Sequence, residues 1–129
     1  MDLISTHACK ASDIGMNGNM FGGRMLSLID ECAGAYAAQI CDTPRMVTVK
    51  IDECTFKHAV RLGNLIKIYG EINQIGNSSI TLNVEARRHS VYTGAQVPVV
   101  STHIKFVRID EDGNAIPISE RVKVKYGFA

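Results

Sequence analysis

Residues 17–34 read NGNMFGGRMLSLIDECAG. The glycine pair Gly22–Gly23 opens a helical pattern that predicts a helix from about Gly22 to Ile40. Within it Met25, Ile29, Cys32, Tyr36 and Ile40 recur at three- and four-residue steps as a core stripe. Arg24, Ser27, Glu31 and Gln39 suit the wetter side. One acid, Asp30, stands beside the stripe, and its helical neighbours Leu26, Ala33, Gly34 and Ala37 offer nothing to neutralise it. A carboxylate buried there costs several kcal/mol, roughly, unless it is paired or hydrogen-bonded. The glycine start leaves backbone N–H groups facing whatever lies in front of the helix. A base beside a bank of N–H donors is the equipment of acyl-group chemistry.

Working outward, Asn17 and Asn19 belong with Gly15 and Gly18 to a loop over residues 11–20, preceded by a first strand at 2–9. Asp42, Thr43 and Pro44 stop the helix. Strands follow. Residues 46–52 alternate, with Val47, Val49 and Ile51 on one face. Residues 65–75 put Ile66, Ile68 and Ile72 on one face. Gly76-Asn77 makes a tight connection to 79–88, where Ile80, Leu82, Val84 and Ala86 alternate with polar residues. Residues 99–109 carry Val100, Thr102, Ile104 and Phe106 on one side. One helix and several antiparallel strands make an α+β domain with the helix lying on the sheet. The small run Ala33-Gly34-Ala35 and Ala37-Ala38 permits a close approach. Apolar and β-branched residues on both strand faces imply self-association through the sheet. We assign residues 1–115 to the domain and 116–129, with Arg121, Lys123 and Lys125, to a mobile or partner-bound tail.

The bulk properties exclude several functions. The chain has 129 residues, is 46% hydrophobic and carries a formal net charge of +1. That size gives one domain with one core, and the charge gives no broad attraction to nucleic acid or anionic membranes. No apolar run reaches the roughly 18–20 residues of a membrane span. The N-terminus MDLISTHACK lacks a secretory pattern. Cys9, Cys32, Cys41 and Cys54 have neither CxxC pairing nor zinc-ligand spacing, which is the usage of reduced thiols in a cytoplasmic protein with no metal.

GNMFGGRMLSLIDECAG, then TPRMVTVKIDECTF and LGNLIKIYGEINQIGNSSITLNVEA, together resemble the hot-dog-fold acyl-CoA thioesterases of the cytosolic acyl-CoA hydrolase type, from about His7 to Ile109. The resemblance implies a long helix wrapped by an antiparallel sheet, with two subunits paired edge to edge, dimers assembling further, and active sites between subunits. It implies hydrolysis of an acyl-CoA to free acid and coenzyme A, with no other cofactor. Asp30 would be general base or direct nucleophile. The N–H groups at Gly22 and Gly23, with the positive end of the helix dipole, would stabilise the oxyanion. Ser78 and Ser79 fall on a turn that in the family lies near the nucleotide, and Phe21 belongs to the motif beside the substrate. Two positions depart from the family. Gly15 stands where members commonly carry a water-positioning Asn, for which Asn17 or Asn19 would substitute. His58-Ala59 stands where many have Lys-Pro.

Lys57, His58 and Arg61, or Arg87, Arg88 and His89, are candidates for the phosphates of coenzyme A; the plainer reading of each is a solvated strand end. His7 and His103 read as surface or packing histidines, and Glu31 points about 100° away from Asp30 around the helix. Two rivals stand beside the hydrolase. One is a hydratase acting on acyl thioesters, which calls for a His–carboxylate pair that the sequence does not offer. The other is a coenzyme A binding module without turnover, favoured by Gly15.

Overall fold

The architecture comes from a computed structural model, which describes residues 1–128. The strands are β1 (Asp2–Ala8), β2 (Met46–Ile51), β3 (Leu65–Ile75), β4 (Ser79–His89) and β5 (Gln96–Arg108). They form a single sheet in the order β1-β3-β4-β5-β2, with every neighbouring pair antiparallel. Across its inner face lies α1 (Gly22–Cys41), and a short α2 (Glu120–Lys125) closes the chain. This is the α+β arrangement that the pattern predicts.

Strict alternation sets the register. Ile80, Leu82, Val84 and Ala86 of β4 are buried, as are Val100, Thr102, Ile104 and Phe106 of β5 and Ile66 and Ile68 of β3. Slipping any of these strands by one residue would turn its apolar set to water. The helix meets this face through Met25, Leu28, Ile29, Ala33, Ala37, Ile40 and Cys41. Its small residues act as expected: the Phe106 ring comes within 3.5 Å of where a Cβ on Gly34 would stand. The expected stripe is shifted by a fraction of a turn. Cys32 and Tyr36 are only half-buried, because this side of the helix turns toward β1, where the Tyr36 hydroxyl donates to Asp2 (2.9 Å) and Cys32 Sγ lies 3.4 Å from His7 Nε2. Asp42 ends the helix in the left-handed conformation, φ 55°.

Three expectations need correcting. The last strand begins at Gln96 rather than 99, because a bulge at Val99 takes Pro98 into the ladder: Ala86 pairs with Val100 and Arg87 with Pro98. The outer face of the sheet is not apolar. It carries a polar network in which Arg87 donates to Glu85 (2.6 Å) and Gln96 (3.2 Å), Ser101 donates to Glu85 (3.0 Å), and the Arg87 guanidinium stacks 4.0 Å from the Tyr69 ring centre. What stays apolar and open is an edge, where Val47 and Val49 of β2 are exposed, Val49 by 53%.

The third correction is the tail. Residues 116–125 dock rather than trail. The Ile116 N–H donates to the Arg108 carbonyl and the Ile118 N–H to Asn77, both at 2.9 Å, and Arg121 reaches Asp42 at the end of α1 (2.8 Å). Ile118 and Val122 are buried in the core, and Ser119 caps α2 through the Val122 N–H. The basic residues that mark this stretch as a tail occupy one side of it, and the apolar pair occupies the other. Ile118→Ala should therefore cost about 2–5 kcal/mol of stability, read as a lower urea midpoint. An unchanged midpoint would mean that the segment is not part of the core.

Candidate functional site

Two features on α1 carry the expected chemistry, and they lie apart. The helix begins at Gly22 with Phe21 in the N-cap position, whose side chain supplies no capping bond. The Phe21 carbonyl accepts the N–H groups of Arg24 (3.0 Å) and Met25 (3.3 Å). Among the described residues, the N–H groups of Gly22 and Gly23 donate to no backbone carbonyl. They are the unsatisfied donors of the first turn, backed by the helix dipole. Gly22 opens on a cavity of about 390 Å³. Its apolar lining comes from Met20, Met25, Phe56, Val60 and Val99, and Asn19, Lys57 and His58 bring polar atoms to it. The Lys57 N–H is fixed to the Val99 carbonyl (2.8 Å), and the Phe56 ring lies 3.4 Å from where a Gly22 Cβ would be.

Asp30 sits eight residues further along the helix, about 12 Å at 1.5 Å per residue. It is not buried within one chain. It is half-exposed, at the open β2 edge, and its Oδ1 accepts the Thr48 hydroxyl at 2.7 Å. That bond fixes the carboxylate and leaves Oδ2 for another partner. Composition alone cannot anticipate Thr48, since its placement depends on the pairing of β2 with β5. No single chain can bring its own Asp30 to its own helix start.

The other predicted residues divide. Asn19, Lys57 and His58 line the cavity, and Phe21 sits at its helix start. Asn17 is exposed in the turn closed by the Gly15 N–H on the Asn19 carbonyl (2.8 Å). A Cβ on Gly15 would stand 3.0 Å from that of Phe21, so an Asn at this position would press on the N-cap residue. Ser78 and Ser79 lie at the far end of the sheet from their own chain's cavity. Ser79 pairs with Val107, eight positions from Val99, about 26 Å along β5. The same Val107 pairs with Val47 across the other side, so the serine turn is level with Asp30. Arg87 points to the outer face with its charge engaged by Glu85, which removes it from the cavity. Arg88 Nη1 donates to the Ala59 carbonyl (2.6 Å), holding the loop that carries Lys57 and His58, and lines a second cavity of about 240 Å³.

Asp13, which no local pattern in the sequence marks, is the one buried charge among the described residues. It ends a 3₁₀ turn at Ala11–Asp13. Its Oδ1 accepts Arg24 Nε at 2.8 Å, its Oδ2 accepts the Lys10 N–H at 2.9 Å, and its carbonyl accepts the Phe21 N–H at 3.2 Å. An acid in a glycine-rich loop gives little local signal, and its partner Arg24 is eleven residues away. Among the described residues there is no group of three His, Cys, Asp or Glu side chains placed to hold a metal, the four cysteines are free, and no helix is long and apolar enough to cross a membrane.

Comparison with known proteins gives the family of the chain. The family model described as the thioesterase superfamily matches residues 17–95. The acyl-CoA thioester hydrolase YciA of Escherichia coli is 29% identical over 122 residues, which cover 91% of this chain and 92% of that protein. An uncharacterized acyl-CoA thioester hydrolase of Zymomonas mobilis is 33% identical over 96 residues, 74% of this chain but only 64% of the relative's own length. Among solved structures, a hexameric hotdog fold thioesterase of Campylobacter jejuni superposes with a TM-score of 0.87 at 32% identity, covering 99% of this chain and 98% of that one.

The Lys10 N–H and the Arg24 guanidinium hold the Asp13 carboxyl below the usual carboxylate range, against the opposing effect of burial. A folded pKa depressed in this way gives stability that is full above the unfolded value and lost as pH falls through the folded one. Urea midpoints of wild type and Asp13→Asn should differ at neutral pH, and the gap should close below about pH 4. A gap that does not change with pH would show that the Asp13 charge is not what stabilises the loop.

Proposed function

The chain belongs to the thioesterase superfamily, and we propose that it hydrolyses acyl-CoA thioesters at a site shared between two copies of itself. The observation that carries this reading is the 12 Å or so between the helix start and Asp30 along one helix, with Asp30 placed at an unpaired strand edge. A second copy pairing antiparallel along β2 covers Val47 and Val49 and makes one continuous sheet. A two-fold axis there sets each Asp30 toward the helix start of the other chain and gives two equivalent sites. The hexameric state of the similar structures supports such self-association, and we extend it to pairs that assemble further.

In this site the thioester carbonyl oxygen receives the N–H groups of Gly22 and Gly23, which favour the charge that develops on it. Asp30 of the partner subunit, steadied by its Thr48 bond, takes a proton from water through its free oxygen. The water oxygen bonds to the carbonyl carbon, the carbon–sulfur bond breaks, and coenzyme A leaves as a thiolate that takes up a proton. The acyl group enters the apolar part of the cavity. Lys57, His58 and Asn19 meet the polar coenzyme A portion, with Ser78 and Ser79 supplied from the Asp30 side. No further cofactor is required. The free cysteines fit a cytoplasmic location.

Thiol release from a panel of acyl-CoAs should fall about 100-fold or more in Asp30→Asn. After single turnover in ¹⁸O-water, label in Asp30 shows direct attack with the anhydride opened at the Asp30 carbon; with label in the product acid alone, rapid-quench trapping of an acyl–Asp30 anhydride separates direct attack from a general base. Mixed oligomers of Asp30→Asn with Gly22→Val, each inactive alone, should regain activity, since one of the two sites in a mixed pair is then intact. No recovery on mixing would sink the shared site. Coenzyme A binding with no thiol release by wild type would favour a binding module instead.

A further inference from the structure

The mechanism above leaves unused the one buried charge among the described residues. Asp13 is 4% exposed at its side chain and makes contacts on three sides of the helix start. Its carbonyl holds the N–H of Phe21, the residue directly before Gly22. One carboxylate oxygen holds Arg24, the residue directly after Gly23, and the other holds the Lys10 N–H of the preceding loop. Gly22 and Gly23 are thus bracketed on both sides by residues tied to Asp13. Glycine has no side chain to limit its conformation, and an uncapped helix start frays readily. A capping side chain at Phe21 would steady the turn but would compete for the Gly23 N–H, one of the two donors that a substrate oxygen needs. Asp13 steadies the turn from behind and leaves them free.

We infer that Asp13 is a positioning residue that fixes the N–H groups of Gly22 and Gly23 where the thioester oxygen is received. The inference rests on the proposed function and adds to it the residue that sets the geometry of the oxyanion site. The groups facing Asp13 are Arg24 and Lys10, with Cys9 and His7 on the adjoining strand and its end. None of them reaches the 390 Å³ cavity, so Asp13 acts through the backbone and not on substrate.

The test compares steady-state hydrolysis of one acyl-CoA by wild type, Asp13→Asn, Asp13→Glu and Ile118→Ala. Displacing donors by a fraction of an ångström weakens the transition state more than the ground state. In Asp13→Asn, kcat should fall about 10- to 100-fold with KM within about twofold, and Asp13→Glu should recover part of the loss. Ile118→Ala, which loosens the core away from the helix start and bears only on the Asn77–Ser79 turn, should keep its kcat whatever its KM, and so controls for general loosening. Should Asp13→Asn fail to fold, Arg24→Met removes one of the same ties from a partly exposed position and should lower kcat in the same way. A kcat equal to that of Ile118→Ala, or a raised KM with kcat intact, would overturn the inference. Absence of thiol release from wild type would instead overturn the hydrolase reading beneath it.

Discussion

The rise of an α-helix, 1.5 Å per residue, decides more about this molecule than any single bond. Gly22 and Asp30 share one helix, so their distance is set by the peptide geometry and no side-chain motion can close it. Acid and donor bank meet only if a second helix brings one to the other. The placement of the edge strand follows from the same constraint. Thr48 of β2 holds Asp30 at the rim of the sheet, where hydrogen-bonding groups and exposed valines await a partner. The fold, the open edge and the proposed chemistry therefore fit one arrangement.

The rest of the chain makes that helix rigid. Its buried face lies on β3, β4 and β5 through residues small enough for Phe106 to approach Gly34. Its far end is pinned by the docked C-terminal segment and the Arg121–Asp42 pair. Its near end is held by the loop that ends in Asp13, and by the Met20 N–H on the Val60 carbonyl at 2.7 Å. The outer face carries a polar network centred on Glu85 and Arg87, while the edge beside Asp30 exposes Val47 and Val49.

Periodicity made much of this legible. Alternation in β4 and β5 and the three- and four-residue steps in α1 gave their elements, faces and near-correct bounds, because burial imposes those periods directly. Gly22, Gly23 and Asp30 stood out by the same logic, as breaks in an apolar pattern. What escaped was non-local. Whether Asp30 is buried depends on which strand ends up beside it. That Arg87 faces away from the cavity while Arg88 braces its loop depends on strand parity at the end of β4. The Asp13–Arg24 pair joins residues from different elements, and Pro98 enters a strand only because a bulge at Val99 lets it. The docking of residues 116–125 leaves no period in the sequence, because charge and burial alternate there over too few residues.

The proposed division of the site between two copies has a consequence for how such a chain can evolve. In the proposed pair, each copy contributes an acid to one site and a donor bank to the other. If the gene were duplicated and the copies came to associate only with each other, one could lose its acid and the other its glycine start, and one site would survive intact. The freed half of each copy could then drift toward ligand sensing or scaffolding without loss of viability. A symmetric pair of sites is in this sense a reserve of redundancy, available as soon as the symmetry is broken.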